Sequence, residues 1–265
     1  MLINKLSRLP HLEYMNNQLL TEIQQAIKNT VKDEKIGIAF SGGVDSTLMA
    51  KLLVDLGYNI HLLTIGFNDS HDINFAKEVN EILKLPHSIL EIEPEKFKKI
   101  SEKIHDLINT DNLSWNENSI AFYYVAKLAD ENEIKTVVTA NGVYELFCGY
   151  NSYREAIEIG EDKVMQMMDE KLKNEKDMMI AVNDVTVEFN VKILQPLLDS
   201  NFITYAKKIP ISEKIHGSDD MKRKHIIRKL AVDCGVPEIS AHKQKKALQY
   251  GSQIHKSLLK SRKIS

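Results

Sequence analysis

The chain has 265 residues, 43% of them hydrophobic and 27% charged, and its formal net charge is −2. A chain of this length buries a core large enough to fold without disulfides or a structural metal, and the nearly neutral charge argues against general binding to nucleic acid. The two cysteines, Cys148 and Cys234, form no CxxC pair, which argues against a zinc ribbon, an iron–sulfur cluster or a dithiol redox site.

The first residues, MLINKLSRLPHLEYMNNQ, lack the apolar segment of a secretory signal. No apolar run in the sequence reaches the roughly 18 residues needed to span a bilayer. The scarcity of cysteine fits a reducing compartment. These features predict a soluble cytoplasmic protein with no membrane partner.

Apolar periodicity alternates between strand and helix over the first 150 residues. In chain order, strands are expected at 36–40, 60–67, 88–93 and 136–140, and helices at 11–31, from about 46 to 57, and at 72–84, 94–108 and 117–131. Strands with so few polar residues are typical of a parallel sheet covered on both faces. The alternation therefore predicts an α/β fold whose strands are joined by right-handed helical crossovers.

The second half of the chain has a different pattern. Residues 153–179 are charged and rich in methionine and are predicted to be helical, whereas VTVEFNVKILQPLLD (185–199) resembles a strand broken at Pro196. The remainder is predicted to be mostly helix. Because no repeat or flexible linker separates the halves, we expect one domain with a parallel five-stranded sheet sandwiched by helices. Residues 1–35 would be a helical lead, 36–150 the core, and 151–265 a mainly helical part that completes the site.

The stretch IGIAFSGGVDST (36–47) contains two glycines and a carboxylate where the first strand passes into a helix. Gly42 and Gly43 let the backbone approach a ligand closely, and the helix beyond them offers unpaired N–H groups that favour phosphate. Asp45 would repel a polyphosphate unless a cation lay between them, and Mg²⁺ suits that role. Hydroxyl donors are available on Ser41, Ser46 and Thr47.

This stretch differs from the two commonest phosphate-binding patterns. No lysine follows the glycines as in GxxxxGK[ST], and the GxGxxG spacing is absent. SGGVDS instead resembles the PP-loop of the ATP pyrophosphatases, which cleave ATP between the α and β phosphates. The fold implied is that of the adenine nucleotide alpha hydrolases, with 36–150 as the nucleotide-binding core.

Further segments resemble the synthetase domain of asparagine synthetase, a pattern shared with the β-lactam synthetases. In family order they are NGVYELFCGY (141–150), QPLLDSNFITYAKKIP (195–210), KHIIRKLA (224–231) and KQKKALQYGS (243–252). The resemblance implies an enzyme that uses MgATP to convert a carboxylate into an acyl adenylate, releasing pyrophosphate. Ammonia or an amine then forms an amide.

The resemblance also implies roles for individual residues. The phosphates would be contacted by Ser41, Gly42, Gly43, Ser46 and Thr47, and Asp45 would bind Mg²⁺ and act in catalysis. Adenine and ribose would be bordered by Ile65 and Gly66, and the nucleotide site would also be lined by Asn141 and Gly142. The catalytic lysine would be Lys245. These assignments make ATP and Mg²⁺ the expected cofactors.

Four positions depart from the family pattern. Tyr144 stands where the family has a second metal-binding Asp, Asn141 replaces a catalytic acid, Cys148 replaces a Gly and Leu194 replaces an Arg. A phenol titrates near 10 and cannot replace a carboxylate on Mg²⁺ at neutral pH. Glu145 is the neighbouring carboxylate that could take over as the second metal ligand. The altered loop leaves the acceptor acid open.

The nitrogen source is also open. No glutaminase domain precedes the PP-loop in this sequence, and residue 2 is Leu rather than a cysteine nucleophile. We therefore expect a small carboxylate substrate together with free ammonia or ammonia from a separate glutaminase subunit. A homo-oligomer is a further expectation.

Two other functions are compatible with the sequence. The basic tail KSLLKSRK would suit a PP-loop enzyme that modifies RNA or transfers sulfur, whereas the net charge and the lack of CxxC argue against nucleic acid as a partner. The substitutions at Asn141 and Tyr144 would suit an ATP-binding protein with impaired catalysis.

Overall fold

The computed structural model of the protein describes residues 9–243 and 247–263. Its sheet has five strands: β1 (Lys35–Ala39), β2 (Asn59–Gly66), β3 (His87–Glu91), β4 (Thr136–Val138) and β5 (Lys192–Leu194). The strands lie in the order β3-β2-β1-β4-β5, and every neighbouring pair is parallel. The predicted parallel five-stranded sheet between helices is confirmed.

Helices connect and cover these strands. In chain order they are α1 (Leu9–Thr30), α2 (Val44–Asp55), α3 (His71–Leu83), α4 (Pro94–Ile108), α5 (Leu113–Glu131), α6 (Val143–Leu146), α7 (Ser152–Ile159), α8 (Glu161–Thr186), α9 (Ser200–Lys208), α10 (His225–Asp233), α11 (Glu238–Ala241), α12 (Leu248–Gly251) and α13 (Ile254–Lys263). Three single 3-10 turns occur at Val187–Phe189, Pro196–Leu198 and Ile211–Glu213.

The apolar strands separate two parts of the core. On one face, Ile36 and Ile38 pack among buried residues of α1, α2, α9 and α10. On the other face, Leu63 and Ile65 pack among buried residues of α4, α5, α8 and α13. Both faces of the strands are thus removed from water, which explains why the strand sequences have so few polar residues.

The strand order reverses beside β1. The chain adds β2 and β3 on one side of β1 and then places β4 on its other side. The connections that leave β1 and β4 diverge at such a point and open a crevice at the carboxyl ends of the two strands, where open α/β sheets bind ligands. A ligand-binding site is therefore expected between the segments that follow Ala39 and Val138.

The structure gives the bounds of two predicted segments. The region 153–179, predicted to be helical, lies in α7 and α8, which are separated by a turn at Gly160 with a φ of 142°. The strand-like stretch 185–199 contains only the three residues of β5, since α8 continues to Thr186 and a 3-10 turn follows. The Asn183 side chain accepts a hydrogen bond from the Ile193 N–H at 3.1 Å and so joins the end of α8 to β5.

No helix in the described part of the chain is both long enough and apolar enough to cross a bilayer.

Candidate functional site

A cleft of about 180 Å³ lies at the carboxyl ends of β1 and β4, where the strand order reverses. Its walls come from distant parts of the chain: the β1–α2 turn, the end of β4, one face of α5 and of α8, and the start of α12. The predicted site residues that line it are Ser41, Gly43, Asp45, Ser46, Ile65, Asn141, Gly142 and Glu145. The β1–α2 and β4–α6 segments are thus brought together at one cleft.

The β1–α2 turn depends on its first glycine. Gly42 has a φ of 72°, and a Cβ at this position would lie 3.0 Å from the Phe75 carbonyl oxygen in α3. Gly43 follows as the N-cap of α2 and has no side chain to accept from the helix. Helix geometry leaves the first N–H groups of α2 without intrahelical acceptors, and these groups provide a local site for an anion.

The hydroxyl groups beside this turn divide into two sets. Ser46 Oγ donates to the Gly43 carbonyl at 3.2 Å and lies 3.5 Å from Ser41 Oγ, and both serines border the cleft. Thr47 is completely buried, and its hydroxyl lies 3.0 Å from that of Ser240 in α11. Ser240 also donates to the Gly42 carbonyl at 2.6 Å. Thr47 therefore supports the turn from behind rather than bordering the cleft.

Asp45 in the first turn of α2 is held by a lysine from a remote segment. Lys224 Nζ donates to both carboxylate oxygens of Asp45 at 2.8 Å, and only 2% of the lysine side chain and 4% of the aspartate side chain are exposed. The same ammonium lies 4.4 Å from the ring centre of Tyr144. A positive charge is therefore fixed behind the wall of the cleft, against Asp45.

Sequence reasoning missed Lys224. The residue begins the segment KHIIRKLA, which carries part of the family resemblance, but it lies 179 positions from Asp45. Its φ of 54° and that of Arg223, at 51°, reverse the chain just before α10. The resemblance of this segment to the family is the sequence signal that could have drawn attention to Lys224, and it carries no information about the partner of the lysine.

A second carboxylate enters the cleft from α8. Asn141, which follows β4, donates from Nδ2 to Glu175 Oε1 at 2.5 Å and accepts from the Thr139 hydroxyl at 2.7 Å. Glu175 is only 5% exposed. The acid that the family pattern expects at position 141 is thus replaced by an amide that orients an acid from another helix. Glu175 was not identified from the sequence, where it is one of many charged residues in a long helix.

Glu145 is buried near the start of α6. Its Oε2 accepts from the Gly142 N–H at 3.1 Å, and its Oε1 accepts from the Tyr150 hydroxyl at 2.6 Å. Burial, followed by the charges of Glu145 and Glu175, raises the pKa of Tyr150 far above its usual range, so this phenol keeps its proton. Gly142, with a φ of 103°, lets this loop pass close to the Leu197 carbonyl.

The remaining predicted residues lie at the edges of the cleft. Ile65 forms part of its wall, whereas Gly66 packs against α3, because a Cβ there would lie 2.3 Å from Ser70 Oγ. Lys245 lies outside the described residues. The segment just after it does reach the site, since Ala247, Leu248 and Gln249 line the cleft.

Fold and site together define the class of this protein: an α/β domain with a glycine-containing turn at the helix N-terminus beside the reversal of its strand order. The sequence model of the family described as asparagine synthase matches residues 18–194 and 160–263. The chain belongs to the asparagine synthase family.

Individual relatives are distant in sequence. A protein named asparagine synthetase (glutamine-hydrolyzing) 1 in Methanocaldococcus jannaschii is 28% identical over 94% of this chain and 53% of its own length. Asparagine synthetase (glutamine-hydrolyzing) of Mus musculus is 26% identical over 85% of this chain and 41% of its own length. The chain thus spans about half the length of the curated relatives it matches. NMN synthetase from Francisella tularensis, a solved structure, superposes with a TM-score of 0.47 and 17% identity over 90% of this chain and 77% of that one.

Proposed function

We propose that this chain uses ATP to activate a small carboxylic acid as its acyl adenylate, with release of pyrophosphate, and that ammonia or an amine then forms an amide. The observation that carries the proposal is the convergence of the anion-binding β1–α2 turn, the Lys224 ammonium and the buried Glu175 carboxylate around one cleft. Membership of the asparagine synthase family supports it. The acceptor acid and the nitrogen source, including a separate glutaminase subunit, stay predictions.

The residues of the cleft fit a nucleoside triphosphate. The N–H groups at the start of α2 and the hydroxyls of Ser41 and Ser46 would donate to the β and γ phosphate oxygens. Ile65 would pack against the adenosine end. These contacts would orient the pyrophosphate as the leaving group while the α phosphorus faces the acid bound nearer β4.

The carboxylates also fit a cation. Asp45 borders the cleft, and a cation bound there would share its carboxylate with the Lys224 ammonium. Glu145 borders the cleft, where its Oε2 accepts from the Gly142 N–H and its Oε1 from the Tyr150 hydroxyl. When bound, Mg²⁺ would neutralise phosphate charge, and we propose Asp45 and Glu145 as its ligands. Lys224 and Lys245 would neutralise oxygens around the α phosphorus.

Amide formation needs a group that removes a proton from nitrogen. As the nitrogen forms its bond to the carbonyl carbon, the bond to AMP breaks, and the nitrogen must lose a proton to become a neutral amide. Glu175 is the buried carboxylate placed to accept it, and the Asn141 amide holds that carboxylate in position. The pair would therefore act after adenylation rather than during it.

Exchange of labelled pyrophosphate into ATP, measured with a panel of carboxylic acids, tests the two half-reactions separately. The wild-type chain is expected to catalyse exchange with at least one acid and to form an amide once ammonium is added. Asp45→Asn should abolish both activities. Glu175→Gln should retain exchange but lower amide formation by about 100-fold. Formation of only ADP and orthophosphate would refute the proposal.

An ATP-binding protein without turnover is the second candidate. Tyr144, in place of a metal-binding acid, lies beneath the Lys224 ammonium, and that ammonium occupies both oxygens of Asp45. Calorimetric titration with MgATP would separate the candidates. Tight binding without pyrophosphate exchange across the whole acid panel would favour this one.

A further inference from the structure

The loop that presents Lys224 contains a cluster of side chains that the proposed ligase chemistry does not use. We define the Asp220 loop as residues 214–225, which connect the 3-10 turn at Ile211–Glu213 to α10. Its ends are tied together, because the His225 N–H donates to the Lys214 carbonyl at 3.3 Å. It is further held by Arg154 Nε, which donates to the Ser218 carbonyl at 2.5 Å.

Two imidazoles and one carboxylate meet within this loop. Potential ligand atoms of His216, Asp220 and His225 all lie within 4.8 Å of one another, and no other such group occurs among the described residues. His225 Nε2 lies 2.6 Å from Asp220 Oδ2. The two imidazole rings stack in parallel, with their centres 3.6 Å apart and an angle of 5° between them.

The backbone of the loop orients the carboxylate before any ligand binds. Asp220 Oδ1 accepts from the N–H groups of Lys222 and Arg223 at 2.9 and 3.0 Å, and Oδ2 accepts from that of His216 at 2.9 Å. The His216 side chain is exposed, and a quarter of that of His225 is, so an ion in solution can reach the cluster. The group is therefore both organised and accessible.

The donor set determines which cations would bind. Imidazole nitrogen with one carboxylate oxygen suits zinc and its neighbours in the first transition row, whereas Mg²⁺ prefers oxygen ligands alone. In a tetrahedral zinc site with bonds of 2.0–2.2 Å, ligand atoms lie about 3.3 Å apart. The ligand atoms of the present group lie within 4.8 Å of one another, so binding would require the two imidazoles to rotate and draw them closer.

We propose that His216, Asp220 and His225 bind one divalent transition-metal cation of the zinc type. The bound cation would cross-link the two ends of the Asp220 loop and so stabilise the segment that carries Lys224 to Asp45. This site lies apart from the cleft and does not depend on the function proposed for it.

Cobalt(II) is the appropriate probe, because its visible absorption reports nitrogen and oxygen coordination. The full chain, without a polyhistidine tag and stripped of metal by a chelator, is titrated with Co²⁺ and then with Zn²⁺. We expect one equivalent of Co²⁺ to give a visible band that Zn²⁺ abolishes and that excess Mg²⁺ leaves unchanged. Zn²⁺ should also raise the melting temperature of the chain.

Two variants decide whether these residues are the ligands. His216→Ala removes an exposed ring and is expected to weaken Co²⁺ binding at least about tenfold and to remove the zinc-dependent rise in melting temperature. His242→Ala removes an exposed imidazole outside the cluster and should behave as the wild type. Absence of the band in the wild-type chain, or an equal band in His216→Ala, would overturn the proposal. Circular dichroism checks that both variants are folded.

Discussion

The pair of Asp45 and Lys224 is expected to contribute to stability as well as to the cleft. Removing one member of a buried ion pair leaves the other charge without its partner in a nonpolar environment, at a cost of about 3–5 kcal/mol. We predict that Lys224→Met lowers the free energy of unfolding by this amount, measured by urea denaturation. Lys222→Met, an exposed substitution in the same loop, is the matched control.

A double variant distinguishes charge from packing. If the uncompensated carboxylate causes the loss, adding Asp45→Asn to Lys224→Met should recover part of the lost stability. A loss in Lys224→Met no greater than that in Lys222→Met would contradict the burial of the pair.

Lys214 is a second buried lysine, and its contribution to the free energy of unfolding depends on pH. The side chain is fully buried and donates from Nζ to the Ala206 carbonyl at 2.8 Å. Burial lowers its pKa from 10.5 to about 8. Between these values the unfolded chain binds a proton that the folded chain has released, so the free energy of unfolding should rise with pH across this window.

The variant Lys214→Met removes this dependence. It abolishes a burial cost of roughly 3 kcal/mol and a hydrogen bond worth about 1 kcal/mol, so we expect it to be more stable than the wild type at pH 7 by about 1–2 kcal/mol. The difference in free energy of unfolding between Lys214→Met and the wild type should fall towards zero as the pH rises to 10. Denaturation at a series of pH values tests this, with the exposed Lys208→Met as control. A stability difference between Lys214→Met and the wild type that does not change with pH would be inconsistent with a lowered pKa of Lys214.

At the scale of elements, the close approach of the β1–α2 turn to α3 depends on Gly42. Gly42 and Gly57 both have positive φ values, 72° and 88°, but a Cβ would meet the Phe75 carbonyl at the first and nothing within 4 Å at the second. Gly57→Ala should therefore cost only the backbone strain, about 1–2 kcal/mol. Gly42→Ala should cost about 1–3 kcal/mol more, because α3 must move.

Comparing the two glycine variants separates strain from steric conflict. Thermal and urea denaturation measure the loss in the free energy of unfolding that each substitution causes. Calorimetric titration with MgATP measures whether the turn still binds nucleotide. We expect only Gly42→Ala to lose binding. An equal loss in the free energy of unfolding in the two variants would show that α3 does not exclude a side chain at position 42.

The predictability of individual elements follows from where their stabilising contacts lie. β1 to β4 and helices such as α4 were predicted to within a few residues, because apolar periodicity within each segment reflects burial against the sheet. β5 was predicted as part of a long stretch, yet only Lys192–Leu194 form a strand. Residues 185–191 are rich in β-branched side chains, and the continuation of α8 overrides that local preference through tertiary packing.

At the scale of the whole molecule, the end of the described chain closes one side of the cleft. The α12–α13 segment packs on α5, where His255 Nδ1 lies 2.5 Å from the buried carboxylate of Glu117. At Gly251 the segment approaches α3 so closely that a Cβ would lie 1.9 Å from Asp72 Oδ1. This contact joins α12, whose residues Leu248 and Gln249 line the cleft, to the rest of the fold.

We predict that Gly251→Ala detaches this segment while the sheet stays folded. Hydrogen exchange followed by mass spectrometry should show faster exchange in residues 247–263 and unchanged protection in β1 and β2. Lys260→Ala, an exposed substitution in α13, should change neither. Unchanged exchange in 247–263 of Gly251→Ala would mean that α12 tolerates a side chain at this position.

By itself, the sequence determined the alternation of apolar strands and helices, the parallel sheet, and the glycine-containing turn at Ser41–Ser46, because each depends on residues that are close along the chain. Only the tertiary structure decided which distant side chains meet at that turn. Lys224 reaches Asp45, and Glu175 reaches Asn141, through the packing of α10 and α8 against the sheet. Contacts of this kind depend on how whole elements pack, and no local pattern of residues encodes them.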